Sequence, residues 1–231
     1  MSSAPPIEDP AAEVRGLRHR YAASGEALAG VDLTLARGAV TALVGANGAG
    51  KTTLLRVLAG ILAPTAGSVR VLGVAAPAAL GGRAARALRR RVGYVSQDPA
   101  LDPEMTCGEV LALLAALHGV GRRVRPRRVA ELAATFGLDP QRRVETLSGG
   151  QKRRLHLAAG MIHDPELLCL DEPAAGLDAE GSAFLWAELE RRASRGRSVA
   201  IVSHDLAAVE RHAHAVVRLE RGVVVAGGPR G

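Results

Sequence analysis

The sequence predicts an α/β fold in which buried parallel strands alternate with helices. Three observations carry that expectation. Short apolar runs at Val40–Val44, Leu167–Leu170 and Val199–Val202, broken only by Thr41, suit strands covered on both faces. The last two are each followed by a helical stretch, the βαβ rhythm of a parallel sheet. A glycine-rich segment, Gly45 to Gly50, stands between the first run and a helix from about Lys51 to Ala59.

The elements follow in order. Residues 1–12 are rich in Pro and Ala and read as a disordered tail ahead of a single domain over 13–231. Val31, Leu33 and Leu35 alternate with polar residues, as a half-exposed strand does. Arg37-Gly38 turns the chain into the buried run that ends at Val44. Beyond the glycine-rich loop and its helix, Pro64 to Gly67 is a turn, and Val69 and Val71 mark another alternating strand. The middle changes character. Thr106-x-x-Glu109 has the form of a capping box before a helical run at 107–118. Pro126 opens a second helix and Gly137 closes it. Residues 98–165 are therefore expected to form a mostly helical insert. Arg221-Gly222 reads as a hairpin turn between Val216–Leu219 and Val223–Val225.

Composition narrows the function classes. The chain has 231 residues, 48% of them hydrophobic, which is enough to bury a core and excludes a disordered protein. No apolar run approaches the roughly 18–20 residues that span a bilayer. The first residues lack the basic-then-apolar order of a signal peptide. The chain is expected to be soluble, with any membrane role supplied through a partner. Cys107 and Cys169 are too few and too distant for a disulfide framework or a zinc site, which fits a reducing compartment. A net charge of +7 raises nucleic acid or an anionic membrane as partners. Lysine occurs only at Lys51 and Lys152, however, and arginine carries almost all the rest beside abundant Ala and Gly. That pattern fits GC-rich coding and a solvated basic surface, and no nucleic-acid partner is expected. Lys51 stands where a compact ammonium, rather than a planar guanidinium, suits the chemistry.

Gly45-Ala46-Asn47-Gly48-Ala49-Gly50-Lys51-Thr52 matches G-x-x-x-x-G-K-[ST] between a strand and a helix, the phosphate-binding P-loop. Glycines let backbone N–H groups turn inward on the phosphates, and the helix N-terminus adds partial positive charge. Lys51 is expected to reach the β- and γ-phosphates of a nucleotide, and the Thr52 hydroxyl to ligate Mg²⁺. The run Leu167 to Glu172 ends a buried strand in two carboxylates, at the sheet edge where open α/β sheets bind ligands. Asp171 is placed to hold the Mg²⁺ shell. Glu172 is placed to orient and deprotonate an attacking water.

Leu147-Ser148-Gly149-Gly150-Gln151, lying between Lys51 and Asp171, resembles the signature of ABC-type ATPases. Ser148, Gly149 and Gly150 open a helix, so their N–H groups and the hydroxyl face an anion. The resemblance continues along residues 13–228. Tyr21 matches the aromatic residue that stacks on adenine. Gln97, after Val92-Gly-Tyr-Val95, matches the glutamine that touches Mg²⁺ or water. Ala175-Gly-Leu-Asp178 matches the loop linking two sites, with Ala175 where the family usually has Ser or Thr. His204, before Asp205, matches the switch histidine.

This resemblance implies a P-loop NTPase core with an N-terminal antiparallel β subdomain and the helical insert. It implies ATP and Mg²⁺ as cofactors. ATP would be held by Tyr21, Gly45, Ala46, Asn47, Gly48, Ala49, Gly50, Lys51, Thr52 and Thr53, and in trans by Ser148, Gly149, Gly150, Gln151 and Asp178. Mg²⁺ would be held by Thr52, Gln97 and Asp171. Glu172, His204 and Lys51 would be catalytic. The implied partners are integral membrane permease subunits, met through the Gln97 loop and the insert, and a second copy or a paralogous ATPase. The implied place is the cytoplasmic face of the membrane.

Lys152-Arg-Arg-Leu155, His163-Asp-Pro-Glu-Leu167 and the stretch from Gln97 to Thr106 resemble exporters of drugs and polysaccharides. The chain ends soon after the His204 segment, so the C-terminal regulatory domain of sugar-importer ATPases is not expected. A soluble member of the family, such as a cluster-assembly ATPase, is the alternative. A non-catalytic regulator would be signalled by loss of Glu172 or His204, and both are present.

Overall fold

Where the sequence alternates polar and apolar residues, the chain builds a sheet with one exposed face. Where it runs mostly apolar, the strand is covered on both sides. The computed structural model describes residues 9–23, 25–75, 82–98 and 100–229. β1 (Ala12–Tyr21) and β2 (Gly25–Leu35) come first, and β3 (Val40–Val44) then enters the interior. α1 (Lys51–Leu58) leads back out to β4 (Ala66–Val71) and β5 (Val74–Ala75). α2 (Gly82–Arg89) and β6 (Val92–Val95) precede three helices, α3 (Cys107–Leu117), α4 (Arg125–Thr135) and α5 (Gly149–Met161). The chain closes with β7 (Leu167–Asp171), α6 (Ala179–Ser194), β8 (Ser198–Val202), α7 (Leu206–His212), β9 (Ala215–Glu220) and β10 (Val223–Pro229).

The first sheet is antiparallel, in the order β2-β1-β4-β5. The second runs β10-β9-β3-β8-β7-β6, parallel from β9 to β6, with β10 antiparallel on its edge. β3, β7 and β8 are buried at every residue, because a hydrophobic cluster lies on each face. On one face Leu111, Phe136 and Leu155 of the three-helix segment and Trp186 of α6 pack with Leu168, Leu170 and Ile201. On the other, Leu54, Leu55 and Leu58 of α1 and the inner side of the antiparallel sheet pack with Leu43, Cys169 and Val202. Both cysteines are buried and free.

The helices begin where their caps place them. Thr106 and Glu109 form a reciprocal capping box for α3, Ser148 and Gln151 form one for α5, and Pro126 lies in the first turn of α4. Among the described residues no helix is long and apolar enough to cross a membrane.

Three features differ from the sequence reading. The expected tail is shorter: Ala11 is fully buried and donates to Leu35 O at 2.8 Å, and Ala12 begins β1, while residues 1–8 lie outside the described residues. β1 went unread because register shifts near Gly16 and Leu17 break its period-two pattern. α2 went unread because its arginine-rich segment buries only Ala85 and Leu88.

Arg91, just before β6, ties that strand to the start of β7. Its Nε and Nη2 donate to the two oxygens of Glu166 at 2.6 and 2.9 Å, and its own carbonyl accepts from Glu166 N at 2.8 Å. The Arg91 hydrogen bond holds the Glu166 carboxyl below the usual carboxylate range. A depressed folded-state value makes this contribution complete above the unfolded carboxylate pKa and lost as pH falls through the folded one. Both side chains are about a third exposed, so screening limits the pair to about 0.5–1 kcal/mol. Glu166→Gln is expected to lower the Tm by about 1–4 °C at neutral pH, by less toward pH 3, as followed by thermal denaturation.

Candidate nucleotide site

β3 ends at Val44 and the chain turns back over the sheet edge. At Gly45, φ is 146°, and a Cβ there would sit 2.2 Å from Leu219 O. At Gly50, φ is 101°, and a Cβ would sit 2.6 Å from Ala27 O. The loop backbone is thus pressed against β9 on one side and β2 on the other, where no side chain fits. The β9–β10 turn clamps it: Gly222 N donates to Ala49 O at 3.1 Å, and Ala29 N donates to Gly222 O at 2.8 Å.

Lys51 opens α1 and is 6% exposed. Its Nζ donates to Gly45 O at 2.7 Å and Ala46 O at 2.9 Å, so the ammonium folds across the loop that precedes it. Burial lowers its pKa, against the opposing pull of the Glu172 and Asp171 charges.

β7 delivers the carboxylates. Asp171 is 2% exposed and accepts from Thr52 Oγ1 at 3.1 Å. Burial pushes its pKa up, the Thr52 bond pulls it down, and the Glu172 charge adds to the rise. Glu172 sits at φ 49°, a left-handed conformation uncommon for a side chain of this size. Its N–H donates to Val202 O at 3.1 Å, and its Oε1 lies 2.9 Å from His204 Nε2.

An open cleft of about 540 Å³ is lined by Tyr21, residues 47–53, Gln97 and Glu172. Tyr21 ends β1 and brings its hydroxyl to 3.4 Å from Thr53 Oγ1, its ring edge-on to His19. A second cleft, of about 480 Å³, is lined by Gly45, Ala46, Asn47, Gly48, Ala49 and His204, among others. One chain therefore brings together Tyr21, the P-loop, Thr52, Thr53, Gln97, Asp171, Glu172 and His204.

It does not bring Ser148, Gly149, Gly150 or Gln151 to Lys51: none of them lines the Lys51 cleft. Ser148 caps α5, accepting from Gln151 N at 3.3 Å and donating its own N–H to Gln151 Oε1 at 3.0 Å. Ser148 and Gly149 are exposed. Asp178 caps α6, accepting from Gly181 N at 2.7 Å, and lines a separate groove of about 600 Å³ with Ala175, Glu172 and His204. Sequence reasoning missed Arg153, a buried cation on α5 beside the Asp171–Glu172 backbone. Its signal was faint: a charge falling on the helix face that also buries Leu157 and Met161.

A family model for ABC transporters matches residues 28–175. The chain belongs to the ABC transporter family. It is 44% identical over 231 aligned residues to the nickel import ATP-binding protein NikO of Rhodobacter capsulatus, covering 95% of this chain and 89% of that protein. It is 40% identical to the daunorubicin resistance ATP-binding protein DrrA3 of Streptomyces coeruleorubidus, covering 96% of this chain and 69% of the relative. The structure of cbiO1 from Clostridium perfringens, part of the ABC transporter complex cbiONQ, superposes with a TM-score of 0.83 at 29% identity, covering 96% of this chain and 89% of that one. This ABC chain is thus an ATP-binding subunit of a transporter and an ATPase, with the α/β fold and helical insert of such subunits.

The site leaves a stability signature. A carboxylate whose folded pKa is raised penalises the fold above that pKa, and the penalty disappears as pH falls through it. Asp171→Asn removes the buried charge beside Glu172 and keeps an oxygen for Thr52. In the absence of nucleotide and divalent cations, it is expected to raise the Tm at neutral pH, with a gain that shrinks on acidification. Thermal denaturation across pH checks this; a lower Tm at neutral pH would show that burial of this carboxylate is not costly.

Proposed function

We propose that two such ATPase subunits close on two ATP molecules, each held between the P-loop of one and the Ser148 segment of the other, and that closure drives transport through separate membrane subunits. One observation carries this reading. The capped, exposed N-terminus of α5 offers anion-binding N–H groups, yet it lies outside the cleft that holds Lys51. A second such subunit would bring it there.

The residues divide the chemistry. Lys51 exchanges its loop carbonyls for the β- and γ-phosphate oxygens, beside the N–H groups of residues 45–53. Tyr21 takes the adenine face. Thr52 and Asp171, in contact at 3.1 Å, and the Gln97 amide offer the all-oxygen set that suits Mg²⁺. When bound, the ion would neutralise charge on the phosphate oxygens. Glu172 orients the attacking water and takes its proton, and His204 Nε2, beside Oε1, orients the carboxylate and reads the γ-phosphate. The Gln97 loop and the three-helix segment meet the permease, which places the subunit at the cytoplasmic face of the membrane. Many surface arginines are paired with carboxylates, as in Arg18–Glu26 and Arg191–Glu188, which suits a solvated surface better than a nucleic-acid patch.

Export is the direction that the Lys152–Leu155 and His163–Leu167 segments favour, in keeping with the 40% identity to a daunorubicin resistance protein. Import of a metal cation is the second reading, favoured by 44% identity to a nickel import protein. Cells carrying the chain with its neighbouring membrane genes would separate the two. Nickel uptake lost in Lys51→Ala supports import; drug or polysaccharide efflux lost in Lys51→Ala supports export.

Glu172→Gln keeps size and hydrogen bonding but cannot accept the proton. It is expected to bind ATP, to lose about 10²–10⁴-fold in turnover, and to form a dimer with Mg-ATP but not with ADP, as sized by light scattering. Adding Ser148→Arg should abolish that dimer. Normal hydrolysis by Glu172→Gln overturns the assignment of the base. A monomer in saturating Mg-ATP overturns the sandwich of two copies of this chain, unless the chain pairs only with a paralogue.

A further inference from the structure

Arg153 lies on α5, little more than one turn after Ser148, and is 4% exposed. Among the described residues no carboxylate comes within ion-pair distance of it. Its five N–H donors go instead to five backbone carbonyls. Nε donates to Pro173 O at 2.8 Å. Nη1 donates to Ser96 O at 3.1 Å and Gln97 O at 2.7 Å. Nη2 donates to Glu172 O and, more weakly, to Asp171 O at 3.4 Å. A buried guanidinium is costly unless its donors are satisfied, and here the whole planar fork is used.

These acceptors come from two places. Ser96 and Gln97 leave the sheet after β6; Asp171, Glu172 and Pro173 leave it at the end of β7. The second set includes the left-handed Glu172, a conformation that persists only where its surroundings fix it. Its N–H is held by Val202 O and its C=O by Arg153. His156, on the same helix, brings its Nε2 within 3.5 Å of Ser96 Oγ; burial, aided by the Arg153 charge, holds its pKa down at about 4, so it adds no second cation.

We infer that Arg153 is a positioning residue for ATP hydrolysis: it fixes the peptide that carries the Glu172 side chain and the Gln97 backbone in one frame, and ties that frame to the helix capped by Ser148. The inference rests on the reading of Glu172 as the base. A lysine cannot replace the fork, because one ammonium with three donors cannot reach acceptors spread over two loops.

The test uses the full chain. Arg153→Lys is expected to lower kcat by about 10²-fold, the scale of a roughly 1 Å misplacement of a catalytic group, while KM and equilibrium ATP binding stay unchanged. In a Glu172→Gln background the same substitution should lower the residual rate far less, since most of its effect passes through that carboxylate. Arg153→Gln, which removes the buried charge and keeps an amide donor, should behave like Arg153→Lys. Full kcat in Arg153→Lys, an equal loss in the Glu172→Gln background, or a raised KM at unchanged kcat would overturn the inference. So would loss of fold and ATP binding in both variants, which would make the residue purely structural. If Glu172→Gln alone hydrolyses ATP normally, the reading of the base fails. If Glu172→Gln is inactive and Arg153→Lys is normal, only the role of Arg153 fails.

Discussion

The hydrogen bond from Thr52 to Asp171 joins side chains 119 residues apart, and the candidate site is arranged around it. It forms because β8 pairs with both β3 and β7, so the loop leaving β3 and the carboxylates ending β7 emerge on the same edge of the sheet. α1, which carries Thr52, packs back over that sheet through Leu54, Leu55 and Leu58. Moving β7 by one strand would separate the phosphate loop from both carboxylates. The parallel order of the central strands is therefore the constraint from which the chemistry follows.

Burial sets the energetics of this edge. Lys51, Asp171 and Arg153 are all nearly inaccessible, yet none of them forms a direct ion pair among the described residues. Lys51 and Arg153 are stabilised by carbonyl oxygens, and Asp171 by one hydroxyl. Two of these arrangements leave charge that a bound ligand can use: the Lys51 ammonium can turn to an anion and the Asp171 carboxylate to a cation, whereas the Arg153 donors are all taken up by carbonyls. The strained Glu172 backbone belongs to the same pattern. Sites of this kind give up some stability to hold groups ready for a reaction.

The segment proposed to meet the nucleotide of a second subunit is built differently. Ser148 and Gly149 stand exposed at the head of α5, with the capping box satisfying the end of the helix locally. Among the described residues they do not line the cleft that holds Lys51, whereas Arg153 below them reaches the backbone of Glu172. One helix thus has an outer end suited to an incoming phosphate and an inner face bonded to the strand that bears the carboxylates.

Much of this was legible in the sequence. The glycines of residues 45–50, the paired carboxylates after an apolar strand and the capping box at Thr106 and Glu109 are short-range patterns, because backbone conformation and helix capping depend on residues a few positions apart. Several features were not legible. The bulged β1 broke the alternation that marks a strand, and α2 buried too few residues to show a period. The order of the parallel strands, and hence the meeting of Thr52 with Asp171, depends on packing between segments far apart in the chain. The reach of Arg153 was the least visible of all. Its acceptors are main-chain carbonyls, which every residue possesses, so no side-chain identity at Ser96, Gln97 or Pro173 announces them. Only the folded backbone gathers five such oxygens around one guanidinium.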